Sequence, residues 1–355
     1  MNMTAAAKRL VDSGTLRSFS SSLLQAGGFA PDHAAQTADL LVWANLRGAD
    51  SHGVLRIPRY VEMVELGIIN PKPELRFISE FGATSVLDAD RAPGAPAMII
   101  AAEKAMALAP VHGIGWCSAR NITHAGAVGY FAHQVTRAGL IGIVMTASKP
   151  LMIYAGSRAE GVSTNPIAIA APTGNSERPI LLDMSTAAVA LGKIMAARDA
   201  GKSIPVGWGV DADGAETTDP KQVKAVLPMA GPKGSGLSLM IEILSSLLVA
   251  NPIISASLNG AEDAPFNGLV MAIDPRAFGE KEAFIKAVDQ LAEDIKGLPP
   301  AQENGDVYLP GERGFAELEK RAREGIPLAA GTLSRLVELA AKQSIMVPES
   351  VRSLR

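Results

Sequence analysis

Apolar residues recur three and four apart through "APDHAAQTADLLVWANLRGAD", where Ala35, Ala38, Leu41, Val42 and Leu46 share one side of a 3.6-residue repeat. The spacing predicts a helix. Pro31 suits its first position, with φ already set, and Asp32 falls in the first turn, where the helix dipole favours negative charge. Gly48 is the candidate end. "RIPRYVEMVELG" begins another helix, so the first 72 residues read as mostly helical.

The pattern then shortens. "LRFISEFGATSVLDAD" reads as two strands about a glycine turn. "IGWCSAR", "LIGIVMTAS", "NPIAIAAP", "PILLDMS" and "NGLVMAIDP" are short apolar runs bounded by Gly, Pro or Asn, and predict strands. Between them, "GAPAMIIAAEKAMALAPVHG", "GAVGYFAHQVTRAG", "TAAVALGKIMAARDAG" and "GSGLSLMIEILSSLLVAN" predict helices. After about residue 276 the chain turns helical again, around one loop, "NGDVYLPGERG". The result is a mixed α/β centre between helical ends.

Composition narrows the class. A chain of 355 residues with 48% hydrophobic content can bury a sizeable core and is not disordered in bulk. A net charge of −3, without a basic block, gives no footprint for nucleic acid or a membrane surface. Cys117 is the single cysteine, which excludes an internal disulfide and fits a reducing compartment. "MNMTAAAKRLVDSG" lacks the apolar core of a secretory signal. Apolar stretches such as "LSLMIEILSSLLVA" are broken by Glu and Ser and are expected to fall short of a membrane span. The expectation is a soluble cytoplasmic protein.

The common nucleotide signatures are missing. There is no GxxxxGK[ST], and "GIGWCS" lacks the third glycine of a dinucleotide fingerprint and lies within a strand pattern. "AGPKGSGLSLM" is better placed. Gly231, Gly234 and Gly236 flank Lys233 ahead of a helix, where backbone N–H groups, dipole and ammonium can meet a phosphate. The competing reading is a glycine-rich helix entry packed on the core. In "ILLDMST", Asp183 and Ser185 follow a strand; Asp183 can orient a histidine, contact a ribose or cap the next helix.

The chain has five histidines. His124, with Asn121 and Thr123 in "SARNITHAGAVGYF", sits between a strand and a helix and suits proton transfer near neutral pH. His33, His112 and His133 read as solvated or capping residues. "DSHGVLRIPRY" gathers Ser51, His52, Gly53 and Arg56. Arg56 can clamp a carboxylate, Ser51 can add a hydrogen bond, and Gly53 leaves room for a ligand. The alternative is a surface turn with an Asp50–arginine pair. No GxSxG elbow accompanies the serine, and no histidine pair has metal-ligand spacing.

Taken in order, "SHGVLRIPRY", "NITHAGAVGYF", "STNPIAIAAP", "LLDMSTAAVALGKI", "LPMAGPKGSGLSLM" and "YLPGE" resemble the malate/L-lactate dehydrogenase family of the non-Rossmann type. The resemblance runs from about residue 5 to 345. It implies hydride transfer between NAD or NADP and the carbon next to a carboxylate, as in malate, lactate, ureidoglycolate or sulfolactate. It implies a cofactor domain on a mixed, largely antiparallel sheet (73–299), a helical domain from both chain ends (1–72 plus 300–355), and a homodimer with the active site near its interface. Ser51, His52 and Arg56 match the family's substrate-side motif. His124 matches the acid/base histidine of some members, and His52 that of others. Pro179, Ile180, Leu181, Leu182, Asp183, Met184 and Ser185, then Pro232 and Lys233, then Gly311 and Glu312, match cofactor-contacting stretches; Arg313, which follows them at a variable position, bears on the cofactor's ribose end. Ser148 matches a substrate contact.

The sequence departs from the family pattern at Lys149, Ser163 and Arg313. A cation at Lys149 would favour a substrate with a second negative group. Adjacent residues of an extended segment face opposite ways, however, so with Ser148 turned into the site Lys149 would turn to solvent. Two other readings stay open: a reductase of cyclic imine carboxylates, and a catalytically silent relative that binds nucleotide or carboxylate.

Overall fold

The computed structural model describes residues 9–199, 201–261, 265–302 and 305–352. Residues 1–8, most of the segment read against a secretory signal, lie outside these, as do Ala200 and Asn304 at the ends of two predicted elements. The chain opens with β1 (Arg9–Val11), α1 (Ser13–Ala26) and α2 (Pro31–Leu46); two single 3-10 turns, Asp50–His52 and Val54–Arg56, lead into α3 (Ile57–Glu65). The centre begins with β2 (Arg76–Phe81), β3 (Thr84–Ala92), α4 (Gly94–His112), β4 (Ile114–Ile122), α5 (Gly129–Arg137) and β5 (Ile141–Ala147). It continues through β6 (Met152–Ile153), β7 (Glu160–Val162), β8 (Ile167–Ala171), β9 (Ile180–Met184), α6 (Leu191–Asp199), β10 (Gly209–Val210) and β11 (Ala225–Val226). Last come α7 (Pro232–Ser245), α8 (Ile254–Leu258), β12 (Phe266–Ile273), α9 (Lys281–Lys296), α10 (Glu312–Glu324), β13 (Ile326–Leu328) and α11 (Ala330–Lys342).

Seven strands form one sheet in the order β2-β3-β4-β12-β5-β8-β9. Within it only β3 and β4 pair in parallel; every other neighbour is antiparallel. This mixed, largely antiparallel sheet holds one βαβ unit, β3–α4–β4, and not the repeated βαβ winding of a Rossmann fold. A smaller sheet, β10-β11-β6-β7, stands beside it. Its strands are two or three residues long, too short for alternation to register in the sequence. At the chain ends β1 pairs antiparallel with β13, α10 packs on α2, and α11 packs on α3.

Helix α4 packs on β3, β4 and β12, with α2 and α5 against it. Close approach is possible because Gly115 of β4 has no side chain: a Cβ there would collide with the Ala105 carbonyl. Enclosed by so many neighbours, α4 is apolar nearly all round. Its length and composition would cross a membrane, which corrects the expectation that every apolar stretch falls short; in the fold it is a core helix, 56% buried over the apolar window.

Two further expectations change. The helix read from Thr186 begins only at Leu191. The intervening backbone is spent on bridging: Ala188 N–H donates to Leu227 O (2.8 Å) and Met229 N–H to Thr186 O (2.9 Å). Asp183 therefore ends a strand and caps no helix of its own. His133 is neither solvated nor capping. It is 8% exposed, stacks on Trp43 (centroids 6.1 Å apart) and meets the Phe315 ring edge-on. His33 is half-buried in the first turn of α2, and His112 is the last residue of α4.

Burial, reinforced by the Arg47 guanidinium, pushes the His133 imidazole down to about 4. The unfolded value is about 6.5, so the neutral ring stabilises the fold fully above that pH, and the contribution is lost as pH falls from 6.5 towards 4. By pH 5 the loss from this one group is about 2 kcal/mol. Urea unfolding at about pH 7.5 and pH 5 checks this: His133→Phe, which keeps the aromatic contacts, should lose about 2 kcal/mol less than the wild type between them. An unchanged pH dependence would rule out His133 as a source of acid sensitivity.

Candidate active site

The turn that carries Ser51, His52 and Arg56 is fastened from below by the end of α2. Asn45 is buried there; its Oδ1 accepts from Val54 N–H (2.9 Å) and its Nδ2 donates to Asp50 (2.7 Å). Arg321 of α10 donates to Asn45 O (2.6 Å) and Asp50 Oδ1 (2.8 Å). The space beside Gly53 is filled by the Asn45 amide, so it does not hold a ligand as the sequence suggested; a Cβ at Gly53 would overlap that amide. Above this base, Ser51 Oγ lies 2.9 Å from His52 Nδ1. Arg56 Nε donates to Ser51 O (2.8 Å), which fixes the guanidinium and leaves its terminal nitrogens uncommitted among the described residues.

His124 arrives from the end of β4. Between two register points with β12, Ala119↔Gly268 and Ile122↔Phe266, β4 sets Arg120 and Asn121 against the single Asn267, and Asn121 takes a left-handed conformation (φ 56°). Its N–H donates to Asn267 (3.1 Å), and its side chain binds Asp88 and Asn251. Such a bulge bends a strand and re-aims the residues beyond it. The His124 ring then lies stacked near His52 (centroids 5.8 Å, planes 21° apart) and edge-on to Phe266. Tyr60 Oη of α3 is 2.6 Å from His124 Nδ1, and Gly126 N–H donates to the same nitrogen (3.3 Å). Nε2 has no hydrogen-bond partner among the described residues.

Electrostatics follow from this crowding. Burial, then Arg56, then His52 hold His124 well below the ordinary histidine value. Burial and Arg56 bring His52 down to about 4. Burial pushes the Tyr60 phenol up to about 12, so it stays a neutral hydroxyl that either tautomer of His124 can use.

Arg56, Tyr60, Asn121 and His124 line one cavity of about 580 Å³, together with Arg91 and Lys149. Among the described residues no carboxylate lines it. Ser148 is elsewhere: it is buried, with its hydroxyl 2.6 Å from that of Ser163 and its N–H on Asn165 (3.1 Å). The alternation expected at this pair is present in the opposite sense, with the serine inward to the fold and the lysine at the cavity.

The stretches matched to a cofactor meet along β9. Pro179 is buried, Ile180 and Met184 are half-buried and paired to β8, and Leu181 is in the core, whereas Leu182 and Asp183 are exposed. Leu181 N–H donates to Pro310 O (3.0 Å), and left-handed Gly311 packs there: a Cβ would come within 2.8 Å of Leu181 O. At the other end Ser185 donates to Thr164 O (3.1 Å), and the entry to α7 hydrogen-bonds the next residue, Thr186. The two ends are about 13 Å apart at the strand rise, a span suited to an extended dinucleotide. Gly231 caps α7 with backbone alone, Pro232 opens the helix, and exposed Lys233 follows. Pro232 has no N–H, and the N–H groups of Lys233, Gly234 and Ser235 donate to the carbonyls of Ala230, Met229 and Gly231 (3.4, 2.9 and 3.3 Å), so of the phosphate-binding groups the sequence suggested here the exposed ammonium is the one left open. Asp183 keeps exposed surface, while desolvation by the surrounding protein raises its pKa, Arg47 opposes that, and Gly129 N–H donates to it (3.2 Å). Arg313 stacks on Tyr308 (4.2 Å), while Glu312 binds Lys296 and accepts from Leu309 N–H (3.0 Å).

The malate/L-lactate dehydrogenase family model matches residues 11–337. The chain belongs to that family. It is 36% identical to the NAD(+) ureidoglycolate dehydrogenase of Escherichia coli K12, over 88% of this chain and 91% of that one. It is also 36% identical to the malate dehydrogenase of Pyrococcus horikoshii, over 90% and 91% of the two chains. The solved structure of the latter protein aligns with a TM-score of 0.87, at 33% identity, over 98% and 99%. The Δ1-piperideine-2-carboxylate reductase of Pseudomonas syringae aligns with a TM-score of 0.81, at 29% identity, over 94% and 100%.

Within this dehydrogenase fold three residues at the site escaped the sequence reading. Tyr60 was inside the quoted motif but had no signal of its partner; Asn45 is a polar residue in the apolar C-terminal turns of α2; Arg91 belongs to a strand end with no motif. Replacing Gly53 with alanine should destabilise the dehydrogenase by about 1–3 kcal/mol, the usual cost of overpacking, because Asn45 cannot move without releasing Val54. Urea unfolding measures it, and an undisturbed midpoint would show that the amide is not pinned.

Proposed function

We propose that this dehydrogenase transfers a hydride between a nicotinamide dinucleotide, NAD or NADP, and the carbon next to the carboxylate of a small 2-hydroxy or 2-oxo acid. The observation that carries the reading is the pairing, in one cavity, of a neutral histidine with a free Nε2 and a guanidinium with free terminal nitrogens. Arg56 binds the carboxylate through its fork. With its own proton on Nδ1, donated to Tyr60 Oη in place of the Gly126 N–H contact, His124 Nε2 takes the hydroxyl proton in oxidation and returns it in reduction. Tyr60 keeps Nδ1 hydrogen-bonded in both protonation states. His52 and Ser51 orient the reacting oxygen, with His52 packed beside the acid/base ring. The bound nicotinamide supplies or accepts the hydride. The substrate anion also completes the acid/base group: it offsets the Arg56 charge that depresses His124, which raises the imidazole towards its working range.

The dinucleotide lies along β9 in this reading, between Gly311–Arg313 and Lys233. The protein works as a cytoplasmic homodimer; an apolar sheet face with Ile169 and Leu182 more than a third exposed supports a partner surface. A second reading is favoured by the structural likeness to the piperideine-carboxylate reductase: the same clamp holds a cyclic imine carboxylate, and His124 delivers its proton to nitrogen.

Oxidation of NADH and NADPH against a panel of 2-oxo acids and cyclic imine carboxylates separates the two. Turnover of neither class would mean a catalytically silent binder. With the preferred substrate, His124→Ala should lower kcat by about 10²–10⁴-fold and leave dinucleotide binding nearly intact, while near-normal kcat would move the acid/base role to His52. Lys233→Ala should weaken dinucleotide binding most at low salt, as expected for an exposed ammonium on a phosphate. Equal affinity at low salt would mean the lysine points away from the cofactor.

A further inference from the structure

The wall of the substrate cavity has an irregularity that the reaction above does not use. Between Asp88 and Ala92, β3 carries three residues, where β4 carries only Asn121 between their partners Arg120 and Ile122. The surplus is absorbed by Asp90 (φ 48°) and Arg91 (φ 58°), two consecutive non-glycine residues in the left-handed region. Single residues visit that region; two in succession persist only where their surroundings fix them. Here they do. Asp90 N–H donates to Asp88 Oδ1 (3.2 Å), and Asp90 Oδ2 accepts from Asn70 Nδ2 (2.7 Å) and Glu74 N–H (3.0 Å). Asn70 N–H donates to Arg91 O (3.0 Å). The outcome is to put the Arg91 side chain on the cavity wall. It sits one residue before Ala92, whose carbonyl accepts from Thr123 N–H (3.1 Å) beside His124.

Charge sets what this side chain faces. Arg56, Arg59, Arg91 and Lys149 all line the cavity. Arg59 is paired with Glu62 (2.7 Å), and the substrate carboxylate takes Arg56. The side chains of Arg91 and Lys149 have no ion-pair or hydrogen-bond partner among the described residues. Two unpaired cations on the wall of a cavity without carboxylates attract a ligand with a further negative charge.

We infer that Arg91 is a specificity-determining residue: with Lys149 it binds a second anionic group, a carboxylate or sulfonate, at the far end of the 2-hydroxy or 2-oxo acid. The inference rests on the hydride-transfer reading for the identity of the reacting end. A phosphate of the dinucleotide has the same chemistry, and the experiment separates the two sources.

The test compares oxaloacetate with 2-oxobutanoate, which differ by carboxylate against methyl at the far end, in wild type, Arg91→Asn and Arg91→Lys. Asparagine tolerates the left-handed backbone and removes the charge. Arg91→Asn should lower kcat/KM for oxaloacetate by about 10- to 100-fold, the worth of charge-assisted hydrogen bonds, chiefly through KM. Turnover of 2-oxobutanoate and dinucleotide affinity should stay within about twofold, and Arg91→Lys should recover part of the loss. Equal losses on both acids, or no loss on either, overturn the inference. A fall in dinucleotide affinity instead assigns the cation to the cofactor and also overturns it. If neither acid turns over, the 2-oxo acid reading fails by itself, and calorimetric binding of malate against 2-hydroxybutanoate decides Arg91: a preference for malate that Arg91→Asn abolishes supports the second-anion site, and absence of any preference rejects it.

Discussion

Burial beside Arg56 keeps the His124 imidazole neutral, and much of the architecture around the site serves to hold those two side chains in that relation. They come from opposite ends of the folding problem. Arg56 and Tyr60 are set by a turn and helix whose contacts run back to Asn45 and out to Arg321, close to the other end of the chain. His124 is set by a strand whose last residues are turned by a bulge that Asp88, Asn251 and Asn267 hold with side chains. An unpaired buried polar group costs free energy, so each of these amides and carboxylates restricts its neighbours as much as it is restricted. The site is preorganised by polar groups that never need to meet substrate.

The same logic separates a fixed part of the cavity from an exposed one. Arg56 and His124 depend on deep contacts. Lys149 and Arg91 line a volume without opposing charge and are themselves exposed. Relatives of similar identity are dehydrogenases of ureidoglycolate, of malate and of sulfolactate, acids with a common reacting end and different remainders. A cavity divided in this way suits such a family.

Much of this was legible along the chain because it is local. Helix α2 follows from apolar spacing and Pro31, and the main-sheet strands from short apolar runs between turn residues. Ser51, His52 and Arg56 lie on two successive turns, and His124 lies on a strand-to-helix loop where chemistry is commonly found. What stayed hidden is long-range or too short to leave a period. The partner of Tyr60 lies 64 residues away, and that of Asn45 on α10 lies 276 away. The two- and three-residue strands of the small sheet carry no alternation. His133 looked polar in the sequence because nothing there shows that Trp43 and Phe315 enclose it. At Ser148 and Lys149 the alternation was correct and its phase was not, since the phase depends on Ser163, a residue brought alongside only by the fold.

The central claim is that the cavity brings a carbon beside a carboxylate to a dinucleotide's hydride while His124 handles the proton. Its most direct test is isotope transfer: the protein is supplied with reduced nicotinamide dinucleotide carrying two deuterium atoms at the reactive ring carbon and with a 2-oxo acid in ordinary water, and the product is examined by mass spectrometry and proton NMR. The account predicts one deuterium per product molecule, bound at the carbon next to the carboxylate, with the hydroxyl proton drawn from solvent. Product without deuterium at that carbon, or deuterium elsewhere in the molecule, would contradict it.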